Sequence, residues 1–161
     1  MYKIAAYITA YKDTDAVDKC IQLLNKQSYP IDKIFIVDNS PIQLNLSFLN
    51  QENVVIQFHP ENIGIAKGIN IALRWAFQEE YDFLWTFDQD SEPEPDALEQ
   101  LLLYFDKLSK QNFLIGIIAP LVIDAKSDQE LEGAIFCNYK FLPASSLENL
   151  NPRKFFHQDF Y

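Results

Sequence analysis

A chain of 161 residues, 48% apolar and with 13 phenylalanines, is one domain's worth of sequence with ample material for a core, which argues against disorder through its body. The formal net charge of −10, from 13 basic and 23 acidic residues, argues against nucleic acid as a partner, because neutralising phosphates needs clustered Lys and Arg. A small phosphorylated ligand stays open, given local help from backbone N–H groups or a bound cation.

No apolar run approaches the roughly 18 residues of a membrane span. The N-terminal "MYKIAAYITAYKDTD" has no long apolar h-region or small-residue cleavage site, and reads as a first strand, not a signal peptide. Cys20 and Cys137 form no close-spaced motif, so free thiols in a reducing, cytoplasmic setting are expected.

In chain order, "KIAAYITA" (3–10) is short, apolar and bounded by polar residues, a buried strand. Val17, Cys20, Ile21 and Leu24 share one face of a helix for which Asp13 or Thr14 is the N-cap. "KIFIVDNS" (33–40) and "NVVIQF" (53–58) are the second and third strands. Ile65, Ile69, Ala72, Leu73 and Ala76 mark a second helix. "DFLWTFD" (82–88) is the fourth strand. Leu98, Leu101, Leu102, Phe105 and Leu108 mark a third helix, with Pro95 in its first turn. "FLIGIIAP" (113–120) is expected as a fifth strand, and "GAIFCNYKFL" (133–142) as a weaker one.

Nearly continuous apolar strands alternating with helices predict an α/β fold, a mostly parallel sheet covered on both faces. Ligands of such sheets sit at the carboxyl ends of the strands. The polar clusters "TAYKD", "DNS", "HPENIG" and "DQD" all follow strands and converge on that edge.

Asp88 and Asp90 stand at the end of the fourth strand, where residues two apart point the same way. Two neighbouring carboxylates repel unless a proton or cation lies between them, and oxygen ligands favour Mg²⁺ or Mn²⁺. The plain alternative is a solvated turn. Asp38 is placed to accept from a base N–H or a ribose hydroxyl, or else closes a local Asx-turn. Gly64 and Gly68 open a helix; they let the backbone approach a phosphate, aided by Lys67, or they allow close helix–sheet packing. Tyr11 stacks on a nucleobase or simply packs. His59 beside Pro60 reads as a turn residue. No Ser-His-Asp, Cys-His or His/Cys metal spacing is present.

The order "YITAYKD", "IFIVDNS", "NIGIAKGIN", "FLWTFDQDSEP" resembles the family-2 glycosyltransferases of the GT-A (Rossmann-like) fold, and most of all their bacterial rhamnosyltransferase-like branch, over about residues 2–125. The resemblance implies inverting transfer from a dTDP- or UDP-linked sugar, with Mg²⁺ or Mn²⁺, to a sugar or lipid-linked acceptor in cell-surface polysaccharide or glycolipid synthesis. By it, Tyr11 and Asp38 hold the base and ribose. Asn62, Gly64 and Lys67 line the donor pocket. Asp88 and Asp90 hold ribose, sugar and metal, Asp90 as the direct ligand. It implies one domain over residues 1–161, with 1–125 binding donor and 126–161 beginning an incomplete acceptor part. The family's T-Y-N reads "TAYKD" here, and its base, a carboxylate after an aromatic run, has Asp159 in "KFFHQDFY" as candidate. A nucleotide-sugar binding module without catalytic competence is the alternative. Attachment to the inner face of a membrane and a homodimer stay open.

Overall fold

The computed structural model of the protein describes residues 1–112, 114–120, 122–124, 127, 129–131, 134–137 and 140–143. The chain divides into two compact units, Met1–Ile118 and Ala119–Tyr161.

The first unit runs β1 (Ile4–Ala10), α1 (Thr14–Leu24), β2 (Lys33–Asp38), β3 (Val54–Phe58), α2 (Gly64–Gln78), β4 (Phe83–Asp88) and α3 (Ala97–Ser109). Its four strands form one sheet in the order β3-β2-β1-β4. Every pairing is parallel, with Tyr7 beside Phe35 and Thr86, and Thr9 beside Val37 and Asp88. Because side chains alternate along a strand, β1 divides cleanly. Ala6, Ile8 and Ala10 pack with Ile34 and Ile36 against Val17, Cys20, Ile21 and Leu24 of α1. Tyr7 packs on the opposite face with Phe35, Val37 and Ala72 of α2. Ile4 meets Leu98 and Leu102 of α3. The central strands β1 and β2 are almost wholly buried, which explains their lack of polar alternation, while β3 and β4 at the flanks are only half covered.

Local chemistry sets the helix starts. Asp13 caps α1, its carboxylate accepting from Ala16 N–H at 3.0 Å. Pro95 lies before the N-cap Asp96 of α3, so it precedes the helix and does not occupy its first turn. Buried Gln27 fastens that entrance, donating to Glu94 O at 2.8 Å and accepting from Leu98 N–H at 3.1 Å.

One sequence expectation needs correction here. Residues 114–120 join none of the sheets, and Leu114 and Ile117 are 98% and 90% exposed. An apolar run becomes a strand only where a sheet edge takes up its backbone N–H and C=O groups, and the described part of this run has no such partner. Phe113 lies outside the described residues. On α2 the buried positions are Gly68, Ala72 and Ala76, with Ile65 and Leu73 half exposed, because the smallest side chains face the sheet. The β2–β3 connection carries no helix, in keeping with the absence of a helical pattern between 40 and 53, and its Leu44 and Leu46 bury themselves in the α1-side core.

The second unit contains two antiparallel pairs, β5 (Val122–Asp124) with β6 (Gln129–Leu131) and β7 (Ala134–Cys137) with β8 (Lys140–Pro143). The last pair overlaps the single weak strand expected over 133–142 and forms two strands there. Among the described residues no helix is long and apolar enough to cross a membrane.

Candidate functional site

From β1 the chain steps to β2 and β3 on one side, then returns through α2 to β4 on the other. Crossovers that leave a central strand in opposite directions open a crevice at the carboxyl edge of the sheet. A cavity of about 470 Å³ lies there, lined by Thr9, Tyr11, Asn39, Asn62, Gly64, Ile65, Asp88 and Gln89. Its volume is in the range of small-molecule sites. All four strand exits contribute: Thr9 and Tyr11 from β1, Asn39 from β2, Asn62 to Ile65 between β3 and α2, Asp88 and Gln89 from β4.

The lining is braced from behind. The buried Tyr7 hydroxyl lies 2.7 Å from Thr9 Oγ1, and burial raises the Tyr7 pKa, with the Asp88 charge adding and the Thr9 hydrogen bond opposing. Asn39, 3% exposed, accepts from Ile63 N–H at 3.0 Å and so ties the β2 exit to the start of α2. Asn62, at φ 51°, accepts from Gly64 N–H at 3.1 Å, and Gly64 itself has φ 77°. These left-handed residues turn the chain into α2, which begins with no side-chain cap and no acidic residue in its first turn. The positive end of its dipole therefore meets the cavity at Gly64 and Ile65 without an internal counter-charge.

The expected site residues separate into groups. Tyr11, Asn62, Gly64 and Asp88 line the cavity together. Asp38 does not line it: the side chain is 1% exposed, its two oxygens accepting from Ser40 N–H at 2.9 Å and Leu44 N–H at 2.8 Å. That is the local Asx-turn arrangement, extended by a second bond. Lys67 is exposed on α2 and outside the lining. Its charge reaches Glu61, whose carboxyl is lowered first by its own backbone N–H, then by His59, and to a smaller degree by Lys67. Gly68 packs: a Cβ there would lie inside 3.0 Å of the Tyr7 hydroxyl.

Asp88 and Asp90 take different directions. Strand β4 stops at Asp88, and Ser91 N–H donates to Asp88 O at 3.1 Å, closing a turn over 88–91. The alternation of a strand therefore does not extend to Asp90. It lines a smaller cavity of about 80 Å³ with Ala16, Lys19, Cys20, Ser91 and Glu92. Burial, and secondarily Asp90, pushes the Cys20 thiol up to about 12. Among the described residues no three His, Cys, Asp or Glu side chains converge as a ready-made metal cage. Asp159 and His157 lie outside the described residues.

Thr9, Asn39 and Gln89 are cavity residues that the sequence reading passed over. The signal for two of them was adjacency, since Asn39 follows Asp38 and Gln89 separates the two aspartates.

This sheet order, with a cleft at its carboxyl edge and an acidic strand end in the cleft, defines a GT-A-like α/β fold. Solved structures agree. S. aureus TarS superposes with a TM-score of 0.54 at 22% identity, covering 65% of this chain and 20% of that one. A TarS 1–349 structure in complex with UDP superposes with a TM-score of 0.51 at 19% identity, covering 65% and 32%. The sequence model described as Glycosyl transferase family 2 matches residues 6–132, and the chain belongs to that family. It is 33% identical to hyaluronan synthase of Streptococcus pyogenes over 117 residues, 65% of this chain and 27% of that protein. The chain thus spans about a quarter of the length of the curated relatives it matches.

Proposed function

We propose that the cavity binds the nucleotide diphosphate of a sugar donor and that the chain serves inverting glycosyl transfer. One observation carries the reading: four strand exits bring an aromatic residue, amides, a helix N-terminus and an aspartate to one cleft of about 470 Å³. An acidic protein binds a diphosphate poorly without a cation. Magnesium takes one or two protein carboxylates and completes its shell with water and substrate phosphate. Asp88 fits that anchoring role, since it lines the cavity. A Mg²⁺ or Mn²⁺ ion there would neutralise the diphosphate as it departs. Asp90 reaches the same ion only if the 88–91 turn rearranges on binding, so its part is expected to be the smaller. The uracil of the TarS complex supports a pyrimidine nucleotide. A dTDP-linked rhamnosyl donor rests on the D-Q-D-S run alone.

Titration calorimetry with UDP and dTDP, in Mn²⁺ and in EDTA, tests the reading. Binding is expected in Mn²⁺ only, abolished by Asp88→Asn and weakened less by Asp90→Asn. Equal affinity in EDTA would remove the cation from the proposal; no binding under either condition would remove the nucleotide.

A further inference from the structure

We propose that Gln89 is a positioning residue that fixes the Tyr11 ring at the cavity for the nucleotide base; the inference rests on reading that cavity as the donor site. Gln89 Oε1 accepts from Tyr11 N–H at 2.6 Å, and Gln89 Nε2 donates to Tyr11 O at 3.3 Å. One side-chain amide therefore engages both backbone groups of a residue 78 positions away. This is the two-bond exchange of an antiparallel residue pair, made here by a side chain at the end of a parallel ladder. The β1–β4 register ends at Thr9 beside Asp88, so the side chain continues by other means a ladder that the backbone has finished.

The clamp lies where the backbone needs holding. Directly after Tyr11 the chain turns through Lys12, whose φ of 58° is in the left-handed region that a lysine avoids. Lys12 N–H donates to Ser40 Oγ at 2.8 Å, anchoring the far side of the turn. Tyr11 is 42% exposed, with Lys12 Nζ 4.8 Å from its ring centroid, so packing alone does not set its place. Gln89 holds the backbone from which the ring projects, and it belongs to the strand end that carries Asp88. The clamp fixes the spacing between the ring that faces a base and the carboxylate that faces a diphosphate. Glutamate in its place would accept from Tyr11 N–H but not donate to Tyr11 O, and asparagine would fall one methylene short.

Gln89→Met keeps the length of the side chain and removes both bonds. The probes are UDP and inorganic pyrophosphate, each with Mg²⁺, titrated calorimetrically into the parent, Gln89→Met, Tyr11→Ala and the double variant. Gln89→Met is expected to weaken UDP about 5- to 30-fold, the worth of one to two hydrogen bonds, and to leave pyrophosphate binding unchanged. The double variant should lose no more than Tyr11→Ala alone, because Gln89 acts through Tyr11. Equal losses for UDP and pyrophosphate, or losses that add in full, would overturn the proposal. A ligand-free measurement keeps it separable from the donor-site reading. Hydrogen exchange at Tyr11 N–H should accelerate in Gln89→Met, and unchanged exchange would refute the clamp. If the parent binds no UDP, the donor-site reading fails and the base-positioning role with it, while the exchange result still decides whether the clamp exists.

Discussion

Gly68→Ala pits helix propensity against packing. Alanine is better than glycine inside a helix by about 1 kcal/mol, so propensity alone makes the variant more stable. The structure says otherwise. The new Cβ would lie inside 3.0 Å of Tyr7 Oη, with Tyr7 Cζ at 3.6 Å and Val37 Cγ1 at 3.5 Å. The atom in the way is the end of a rigid ring that is 1% exposed, enclosed by Phe35, Val37 and Ala72. Its hydroxyl is held 2.7 Å from Thr9 Oγ1. Overpacking of this kind costs about 1–3 kcal/mol, and displacing the hydroxyl forfeits about 1 kcal/mol more in the Thr9 hydrogen bond. Against the propensity gain, the net expectation is a loss of about 1–3 kcal/mol. At about 4 °C per kcal/mol for a unit of this size, the midpoint should fall by about 4–12 °C in thermal unfolding followed by circular dichroism. Tyr7→Phe removes the offending oxygen, so Gly68→Ala combined with Tyr7→Phe should recover most of the loss. A Gly68→Ala protein as stable as the parent, or a double variant with no recovery, would refute the reasoning.

Asp38→Ala should cost about 2–4 kcal/mol in urea unfolding, since the Ser40 and Leu44 N–H groups both lose a buried acceptor; lost nucleotide binding at unchanged stability would instead make Asp38 a ligand contact. Cys20 should resist a thiol-specific disulfide reagent at pH 8 in the folded protein and react at once in urea, because its thiol is pushed up to about 12. The raised value also has a sign: the unfolded thiol ionises near 9.0 and the folded one near 12, so stability contributed by Cys20 is complete below pH 9 and declines as pH rises towards 12. A Cys20→Ala protein should lack that part of the alkaline decline, and an identical decline in both would place its origin elsewhere.

The strands and helices of the first unit were legible because apolar spacing records burial directly. β1 and β2 are buried on both faces and read as continuous apolar runs; α1 buries Val17, Cys20, Ile21 and Leu24 and reads as one helical face. The same reasoning failed at 114–120, where composition is strand-like but strand formation depends on a hydrogen-bonding partner that the local sequence does not specify. On α2 the apolar spacing located the helix but not its buried face, because hydropathy does not record that the sheet approaches Gly68 closely enough to admit only small residues.

The site was legible as an edge before it was legible as atoms. Polar clusters after four strands pointed to one end of the sheet, and the cavity lies there. Which side chain of each cluster turns inward depends on backbone geometry one residue at a time. In "DNS" the carboxylate of Asp38 is drawn under the chain by two N–H groups, and the next residue, Asn39, meets the cavity. In "DQD" the strand stops at Asp88, and the turn closed by Ser91 N–H carries Asp90 towards Cys20. The middle residue, which an alternating strand would aim away from its neighbours, bends back to hold Tyr11. A motif written as two aspartates around an arbitrary residue assumes the chain is still extended at its third position. Here it is already turning, and that difference of one residue makes the glutamine part of the site.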